Sequence, residues 1–522
     1  MTANLKSSVY MDLLREIHAD IADDLGIDLT IETKRALSVL NSNGLPYFID
    51  WNEKLLHAPV IDLVEDATQV QYRELTSLVF HSNSVCTAAR AYAHLRQLYS
   101  LFRKLEDTTC FESSDSALSS FFERNGSHDL PLTTDQQVLA RRLGEIMPTF
   151  LSDLDDNDLT QLIPDIGPGA SFEKRSRTKR PAYFDDVRLS FRGATQEETP
   201  RVSRACAVPK TYKRMRLIFV EPSSRMLVQK AIQGYMYEAA RKYPLRNYVS
   251  FTDQEFQRKK LHLDGAATID LSDASDHIDR RLVWIAFQRL PRLRSLLFRA
   301  RSVYEQTKHM FYCFSTMGNA TTFPVMTLLL TCVLAECERE ARLRGANVWH
   351  GGVFGDDIVC HEAIYGSVCG VLTRLGLKVN ASKSYVCKPF KESCGLDLFN
   401  GIDVTPIKIK SLRSVTPSDW TRLVAYANSL FIAGYWRAAD VLVSEILSRW
   451  PKTAFGPFGS ENCLWSHTAQ EFSPARYSRD YQSYIPWHPV SNVGPIVSVD
   501  DDPNLDYWLA HGRRVSEVEN EF

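Results

Sequence analysis

The stretch whose reading decides the fold is Asn347–His361, NVWHGGVFGDDIVCH. Two apolar runs, Asn347–Phe354 and Ile358–His361, flank Gly355-Asp356-Asp357, which is the pattern of a β-hairpin. Two adjacent carboxylates in a tight turn repel one another unless a cation neutralises them. A preceding glycine permits the turn and leaves room for a ligand to approach the backbone. Gly-Asp-Asp also occurs in ordinary surface turns, so this stretch needs support from elsewhere in the chain.

That support comes from AATIDLSDASD, residues 266–276. Ala266–Leu271 has the apolar character of a short strand, and Asp270 sits at its end. If this strand and the hairpin share a sheet, Asp270 and Asp356 meet across it and can bridge two Mg²⁺ ions, with Asp357 supporting the second ion. Phosphoryl transfer uses such a pair of hard cations, and few carboxylates suffice because Mg²⁺ keeps waters and takes ligands from substrate phosphates.

Other segments fit the same chemistry. FSTMGNATTFP (Phe314–Pro324) is a small-residue loop feeding a helix. There Ser315, Gly318 and Asn319 offer donors and close backbone approach to a template or sugar; read alone, the loop is equally a helix cap. In VPKTYKRMRLIFVEP (Val208–Pro222), Lys210, Lys213, Arg214 and Arg216 have the charge to clamp a triphosphate. Lys383, in LGLKVNASKS, is a candidate general acid for the leaving pyrophosphate, set against the plain alternative of a solvated lysine.

The chain as a whole constrains these readings. Its 522 residues exceed what one core usually supports, and 44% hydrophobic with 24% charged residues is ordinary for a soluble globular protein. Net charge is only −2, yet Lys174–Arg216 holds 13 Lys/Arg against 4 acids. That local excess points to a polyanion site or to a solvated basic loop. The 11 cysteines include no Cys-x-x-Cys, which argues against a zinc ribbon or a disulfide framework. Cys313, Cys332, Cys337 and Cys360 sit among apolar neighbours and read as buried thiols. The opening MTANLKSSVYMDLLREIHADI lacks a signal-peptide core, and Phe323–Ala335 falls short of the ~20 residues of a membrane span, so the expectation is a cytosolic protein.

Helical periodicity dominates the first 165 residues, through Met11, Leu14, Ile17, Ile21 and Leu25 and again over Ala88–Leu105. Helices are expected over Ser223–Ala240, Asp279–Leu290 and Thr322–Arg344, and Val371–Leu375 reads as a helix end stopped by Gly376. Helical patterns resume from Ser411 to Trp450, and the Pro-, Gly-, Trp- and Tyr-rich remainder reads as irregular.

In order, VPKTYKRMRLIFVEP, ATIDLSDASD, FSTMGNATTFP, VFGDDIV, LGLKVNASKS and KPFKESCGLDLFNGIDVTPIKIK resemble motifs F, A, B, C, D and E of viral RNA-directed RNA polymerases. The wording DLSDASD, SxMGN and ESCG…GIDVTP resembles the replicase subunit of single-stranded RNA bacteriophages, the leviviruses, and GPGAS at Gly167–Ser171 fits as well. Detailed similarity covers Gly167–Lys410. The resemblance implies an α+β right-hand polymerase of fingers, palm and thumb, with an antiparallel palm sheet and mostly helical ends. It implies a helical N-terminal region (1–165), fingers with the cationic motif (166–265), a palm with motifs A to E (266–410) and a thumb with the C-terminal region (411–522). Asp270, Asp356 and Asp357 would hold two Mg²⁺, for which Mn²⁺ or Ca²⁺ can substitute. The implied activity is copying of single-stranded RNA from NTPs with primer-independent initiation, in the host cytoplasm. Host elongation factors Tu and Ts and a ribosomal small-subunit protein are the implied partners.

Departures from the common pattern concern the ribose. Five residues after Asp270 stands Ser275 where many RNA polymerases have an acid; the acid, Asp276, comes at six. Met326 stands where an asparagine is usual. Recognition of the 2′-hydroxyl then falls to Ser275, Asp276 or Asn319. Asp273 makes the strand end more acidic than the resemblance implies and reads as outward-facing. Trp465, Tyr477, Tyr481 and Trp487 either stack on an initiating nucleotide or pack into the thumb. Two other functions compete. A reverse transcriptase shares the acidic hairpin, but the small polar Ser-Asp-Ala-Ser-Asp favours ribonucleotides; a non-catalytic RNA-binding subunit would bind RNA in a salt-dependent way without incorporation.

Overall fold

A computed structural model of the chain describes residues 7–57, 72–106, 112–155, 172, 201–210, 214–460, 463–467, 476–480 and 483–485. Most of the basic stretch, Lys213, Gly167–Ser171, Tyr481 and Trp487 lie outside the described residues. The chain forms two compact units. One comprises Met1–Phe111, Pro209–Arg214 and Ile402–Val499; the other comprises Glu112–Val208, Met215–Gly401 and Asp500–Phe522. The expected helical N-terminal region is thus divided: its first 111 residues share a unit with the expected thumb region, and the helices beyond share one with the acidic hairpin.

The acidic hairpin's unit mixes helix and strand. Its labelled elements are α1 (Ser114–Gly126), α2 (Thr134–Phe150), β1 (Val202–Pro209), β2 (Met215–Val220), α3 (Ser223–Ala240) and α4 (Gln254–Leu261), then β3 (Ala266–Ile269), α5 (Arg280–Ala286), α6 (Pro291–Ala300) and α7 (Thr322–Leu343). There follow β4 (Gly352–Phe354), β5 (Asp357–His361), α8 (Glu362–Arg374), β6 (Phe390–Ser393) and β7 (Leu396–Phe399). At its centre is a three-stranded antiparallel sheet with β5 between β3 and β4. The register pairs Ile269 with Ile358 and Phe354 with Asp357. On the free side of β3, bridges Thr268–Tyr385 and Leu271–Val379 add the segment after α8.

Helix α7 is the apolar centre of this unit. Its sequence is hydrophobic all round from Val325 to Leu334 and those residues are buried, as expected of a helix enclosed by its neighbours. It shares one core with α2, α3, α5, α6, α8 and the inner face of the sheet. The expected helix over Asp279–Leu290 is shorter, because Asp279 caps it through the Arg281 N–H at 2.7 Å and the regular helix ends at Ala286. The expected strand from Asn347 begins only at Gly352.

The other unit is mainly helical: Ser7–Leu25, Thr30–His57, Arg73–His81, Val85–Ser100, Pro417–Ile432 and Trp436–Arg449. Leu14, Ile17 and Ile21 form the buried stripe that the spacing predicts. Asp20 accepts the N–H groups of Arg437 and Ala438 at 3.2 and 3.1 Å, satisfying the start of the helix Trp436–Arg449. Short paired strands, Phe455–Gly456 with Leu464–Trp465 and Arg476–Ser478 with Ser483–Ile485, follow it where irregular structure was expected. Cys313, Cys332, Cys337 and Cys360 are free, buried thiols as predicted. Among the described residues, no helix is long and apolar enough to cross a membrane.

Candidate active site

The hairpin between β4 and β5 closes through Gly355 and Asp356. Gly355 has φ 65°, the positive value that a primed hairpin turn needs at its first position. A Cβ there would also lie 2.8 Å from the Phe323 ring. Its N–H donates to Thr327 Oγ1 at 3.1 Å, so α7 holds the turn. From the other side, the Gln257 amide donates to the Gly352 carbonyl at 3.0 Å, and Lys260 Nζ donates to the carbonyls of Asn247, His350 and Gly351 at 2.7 to 2.8 Å. Burial lowers the Lys260 ammonium to about 8.

Asp270 follows Ile269 directly, so continuing the register sets it opposite Asp357, with Asp356 next at the tip. Asn380 Nδ2 donates to Asp270 Oδ2 at 2.9 Å, and Lys383 Nζ stands 3.9 Å from the same oxygen. The Asp270 backbone is fixed as well: its carbonyl accepts the Asn380 N–H at 2.9 Å and its N–H donates to Ser384 Oγ at 3.1 Å. The three carboxylates differ in setting. Asp356 is exposed, Asp270 and Asp357 are half-buried, and Asp357 Oδ2 accepts the Cys394 N–H at 3.2 Å.

Electrostatics show the strain of collecting them. Burial first, then the charge of Asp356 and, more weakly, that of Asp270, push the Asp357 carboxyl up to about 7, against the opposing pull of the Cys394 N–H. Such a site gains from a cation. Among the described residues no three acidic, histidine or cysteine side chains are arranged to hold a metal unaided. The donor set suits a hard ion that takes two carboxylates, from Asp270 and Asp356, and completes its shell with water and phosphate oxygens.

The end of β3 turns sharply. Asp273 is exposed, as expected, and adopts a left-handed conformation (φ 47°, ψ 43°). Ser275 is buried and donates to Asp276 Oδ1 at 3.3 Å. Burial raises the Asp276 carboxyl, and Arg124 of α1, 3.3 Å from Oδ2, opposes that rise. This pairing joins residues 152 positions apart and had no local signal in the sequence.

The loop before α7 is bound inward. Phe219 N–H of β2 donates to the Met317 carbonyl at 2.7 Å, and Gly318 has φ 114°. A Cβ on Gly318 would stand 2.3 Å from the Phe219 carbonyl oxygen, so the close approach this glycine permits is to β2. Asn319 is buried; its amide donates to Glu221 at 3.4 Å and its oxygen accepts from the Thr321 N–H and hydroxyl at 2.8 and 2.7 Å. Glu221 is only 1% exposed and also accepts the Ser302 hydroxyl at 2.5 Å. Ser315 is buried and accepts from the Thr322 hydroxyl at 2.9 Å.

In the cationic segment, the Lys210 N–H donates to the Arg214 carbonyl at 3.0 Å, closing the turn after β1. Arg216 projects from β2, and all three of these cations are exposed. Lys210 and Arg214 belong to the mainly helical unit, whereas Arg216 belongs with the acidic turn.

Residues 185–429, which carry this turn, match the family model described as RNA replicase, beta-chain. The RNA-directed RNA polymerase beta chain of Escherichia phage MS2 is 31% identical over 283 residues, covering 48% of this chain and 50% of that one. The beta chain of Enterobacteria phage fr is 33% identical over 206 residues (39% and 37%), and the beta subunit of Qbeta virus strain MX1 is 32% identical over 248 residues (45% and 40%). The chain spans half or less of the length of these curated relatives. Among solved structures, the RNA-dependent RNA polymerase of a human picobirnavirus aligns with a TM-score of 0.43 at 12% identity, over 64% of this chain and 73% of that one. The curated homologues of this chain are levivirus RNA-directed RNA polymerase beta chains, and the stretch 185–429 carries its match to the RNA replicase beta-chain family.

Proposed function

We propose that the chain is the catalytic subunit of an RNA-directed RNA polymerase that copies single-stranded RNA, with β3, β4 and β5 forming the palm sheet of a right-hand fold. The observation that carries this reading is the convergence of Asp270 and the Asp356-Asp357 turn on one sheet edge, with Asn380 and Lys383 on the Asp270 carboxylate. This edge lies inside the stretch that matches the replicase family.

In this reading Asp270 and Asp356 would hold two Mg²⁺ ions, with Asp357 supporting the second, and the ions would supply Lewis-acid stabilisation of the reacting phosphate. The RNA 3′-hydroxyl attacks the α-phosphate of the incoming NTP, and pyrophosphate leaves. Asn380 fixes the rotamer of Asp270, so the carboxylate needs little reorganisation. Lys383, 3.9 Å from Asp270 Oδ2, donates a proton to the departing pyrophosphate. Asp357, held by the Cys394 N–H, supports the second ion's position from behind the turn. Lys210, Lys213, Arg214 and Arg216 bind the triphosphate. Ser275 and Asp276 read the ribose, while Ser315, Gly318 and Asn319 shape the floor of the nucleotide site from within. Initiation without a primer, action in the host cytoplasm, and assembly with host elongation factors Tu and Ts and a ribosomal small-subunit protein complete the proposal.

The test uses the full chain purified from its host with whatever proteins accompany it. Given an RNA template and labelled nucleotides, this complex incorporates NTPs, discriminates against dNTPs, and loses incorporation with Asp356→Asn. Incorporation by that variant at the wild-type rate would overturn the assignment.

A further inference from the structure

A second cationic feature lies in the acidic turn's unit and uses none of the residues assigned above. Between α5, α6 and the strand-like segment around Val303 is a cavity of about 500 Å³, within the size range of small-molecule sites. Five arginines line it, at positions 201, 280, 281, 299 and 301, and the described lining includes no carboxylate. Trp284 and Phe298 form an aromatic wall, packed edge to face at 4.9 Å. Arg294 stacks 4.2 Å from the centre of the Trp284 ring, yet Trp284 remains 46% exposed.

The arginines are only partly neutralised. Arg281 is paired with Asp279 at 2.6 Å and also donates to the carbonyls of His128 and Leu130. Arg301 is 3% exposed; it donates to the Phe311 and Cys313 carbonyls at 3.2 and 2.9 Å, and its Nε has no partner among the described residues. Arg201 donates to the Phe298 carbonyl at 2.5 Å, and Arg280 lies 5.1 Å from the centre of the Tyr312 ring. Burial pulls Arg301 down to about 10, and the positive charges of Arg280 and Arg201 pull the same way, opposed by Cys313 and more weakly by buried Glu221. Apart from Arg281, whose charge Asp279 matches, carbonyls and rings orient these guanidiniums without cancelling their charge. An anion entering the cavity would do so, and the planar fork of arginine matches phosphate oxygens.

We propose that this cavity binds a nucleotide, with its phosphate against Arg201, Arg280 and Arg299 and its base against the Trp284–Phe298 wall. Flat aromatic surface beside clustered arginine is the combination that holds nucleotide units without reading their sequence. The nucleotide is either free or one unit of a single RNA strand, and the chemistry of the contact is the same for both.

Photo-crosslinking of the full chain separates these sources. One arm uses thiouridine triphosphate, and the other a thiouridine-containing single-stranded oligoribonucleotide. Crosslinked peptides spanning Trp284 and Phe298 are expected in at least one arm; the triphosphate arm identifies a free nucleotide and the oligonucleotide arm a strand. Arg299→Glu, an exposed position, lowers that crosslink about tenfold, as loss of a charge-assisted phosphate contact should. Arg280→Gln is the second variant, and melting temperatures establish that each is folded. Asp356→Asn keeps the crosslink, so a failure of the polymerase reading leaves this result standing. Absence of crosslinks in these peptides with both probes, or a yield unchanged in folded Arg299→Glu, would overturn the proposal.

Discussion

Thr327 Oγ1 accepts the Gly355 N–H at 3.1 Å, tying the second turn of the buried helix Thr322–Leu343 to the turn that presents Asp356. The same hydroxyl donates to the Phe323 carbonyl at 2.8 Å, which fixes its orientation. Thr327→Val keeps the shape and removes the acceptor, leaving a buried N–H unsatisfied at a cost of about 1–3 kcal/mol. The expected outcome is a fall in kcat of about tenfold or more with NTP KM little changed, and recovery in Thr327→Ser. Steady-state incorporation kinetics check it.

Gly318 provides a sharper test of packing. A methyl at this position meets the Phe219 carbonyl oxygen at 2.3 Å and the backbone has φ 114°, so Gly318→Ala should destabilise by about 3 kcal/mol or more. Gly366, inside helix Glu362–Arg374, has nothing within 4 Å of its would-be Cβ. Gly366→Ala should be neutral or stabilising by about 0.5–1 kcal/mol. Thermal melts of the two variants should therefore move in opposite directions or differ by many degrees.

Acid should weaken the mainly helical unit through His18. This residue is buried, with Nδ1–H donating to the Leu14 carbonyl at 2.7 Å and Nε2 accepting from the Tyr72 hydroxyl at 3.0 Å. Burial holds its pKa at about 4, below the ordinary 6.5, partly offset by the Leu14 carbonyl. The unfolded chain therefore binds a proton that the folded one refuses between these values. Stability is fully present above pH 6.5 and falls as pH drops towards 4, by roughly 3 kcal/mol over the interval. Melting temperatures measured from pH 7 to 4.5 should fall, and His18→Gln should flatten the slope.

Arg124 stands 3.3 Å from Asp276 Oδ2 and keeps that buried carboxyl from rising further. In Arg124→Met the carboxyl is released and more readily protonated. If Asp276 reads the ribose, discrimination between NTP and dNTP should fall about tenfold, the equivalent of one charge-assisted hydrogen bond. Competition between the two nucleotide types on one RNA template measures this; an unchanged ratio would remove Asp276 from ribose recognition.

Much of this site was legible in the sequence because its acids mark strand ends and turns. The apolar run before Asp270 and the two runs around Gly355-Asp356-Asp357 have strand character, and strand pairing then brings the acids together. The helix Ser223–Ala240 and the buried stripe through Leu14, Ile17 and Ile21 were legible for the same reason, since periodicity is a local property. What was not legible depends on partners far along the chain. The bond from Thr327 to Gly355 spans 28 residues, that from Arg124 to Asp276 spans 152, and Cys394 reaches Asp357 across 37. Loop side chains were the other gap. Composition placed Asn319 in a polar loop, but its inward turn depends on Glu221, whose burial only the packed structure reveals.

The central claim is that Asp270 works with the Asp356 turn in nucleotidyl transfer. Its most direct measurement is single-turnover incorporation of a labelled NTP by the Asp270→Asn protein, isolated with its host partners and compared with wild type at equal melting temperature. The account predicts that incorporation falls by several orders of magnitude while RNA binding persists. Wild-type incorporation by folded Asp270→Asn would contradict it.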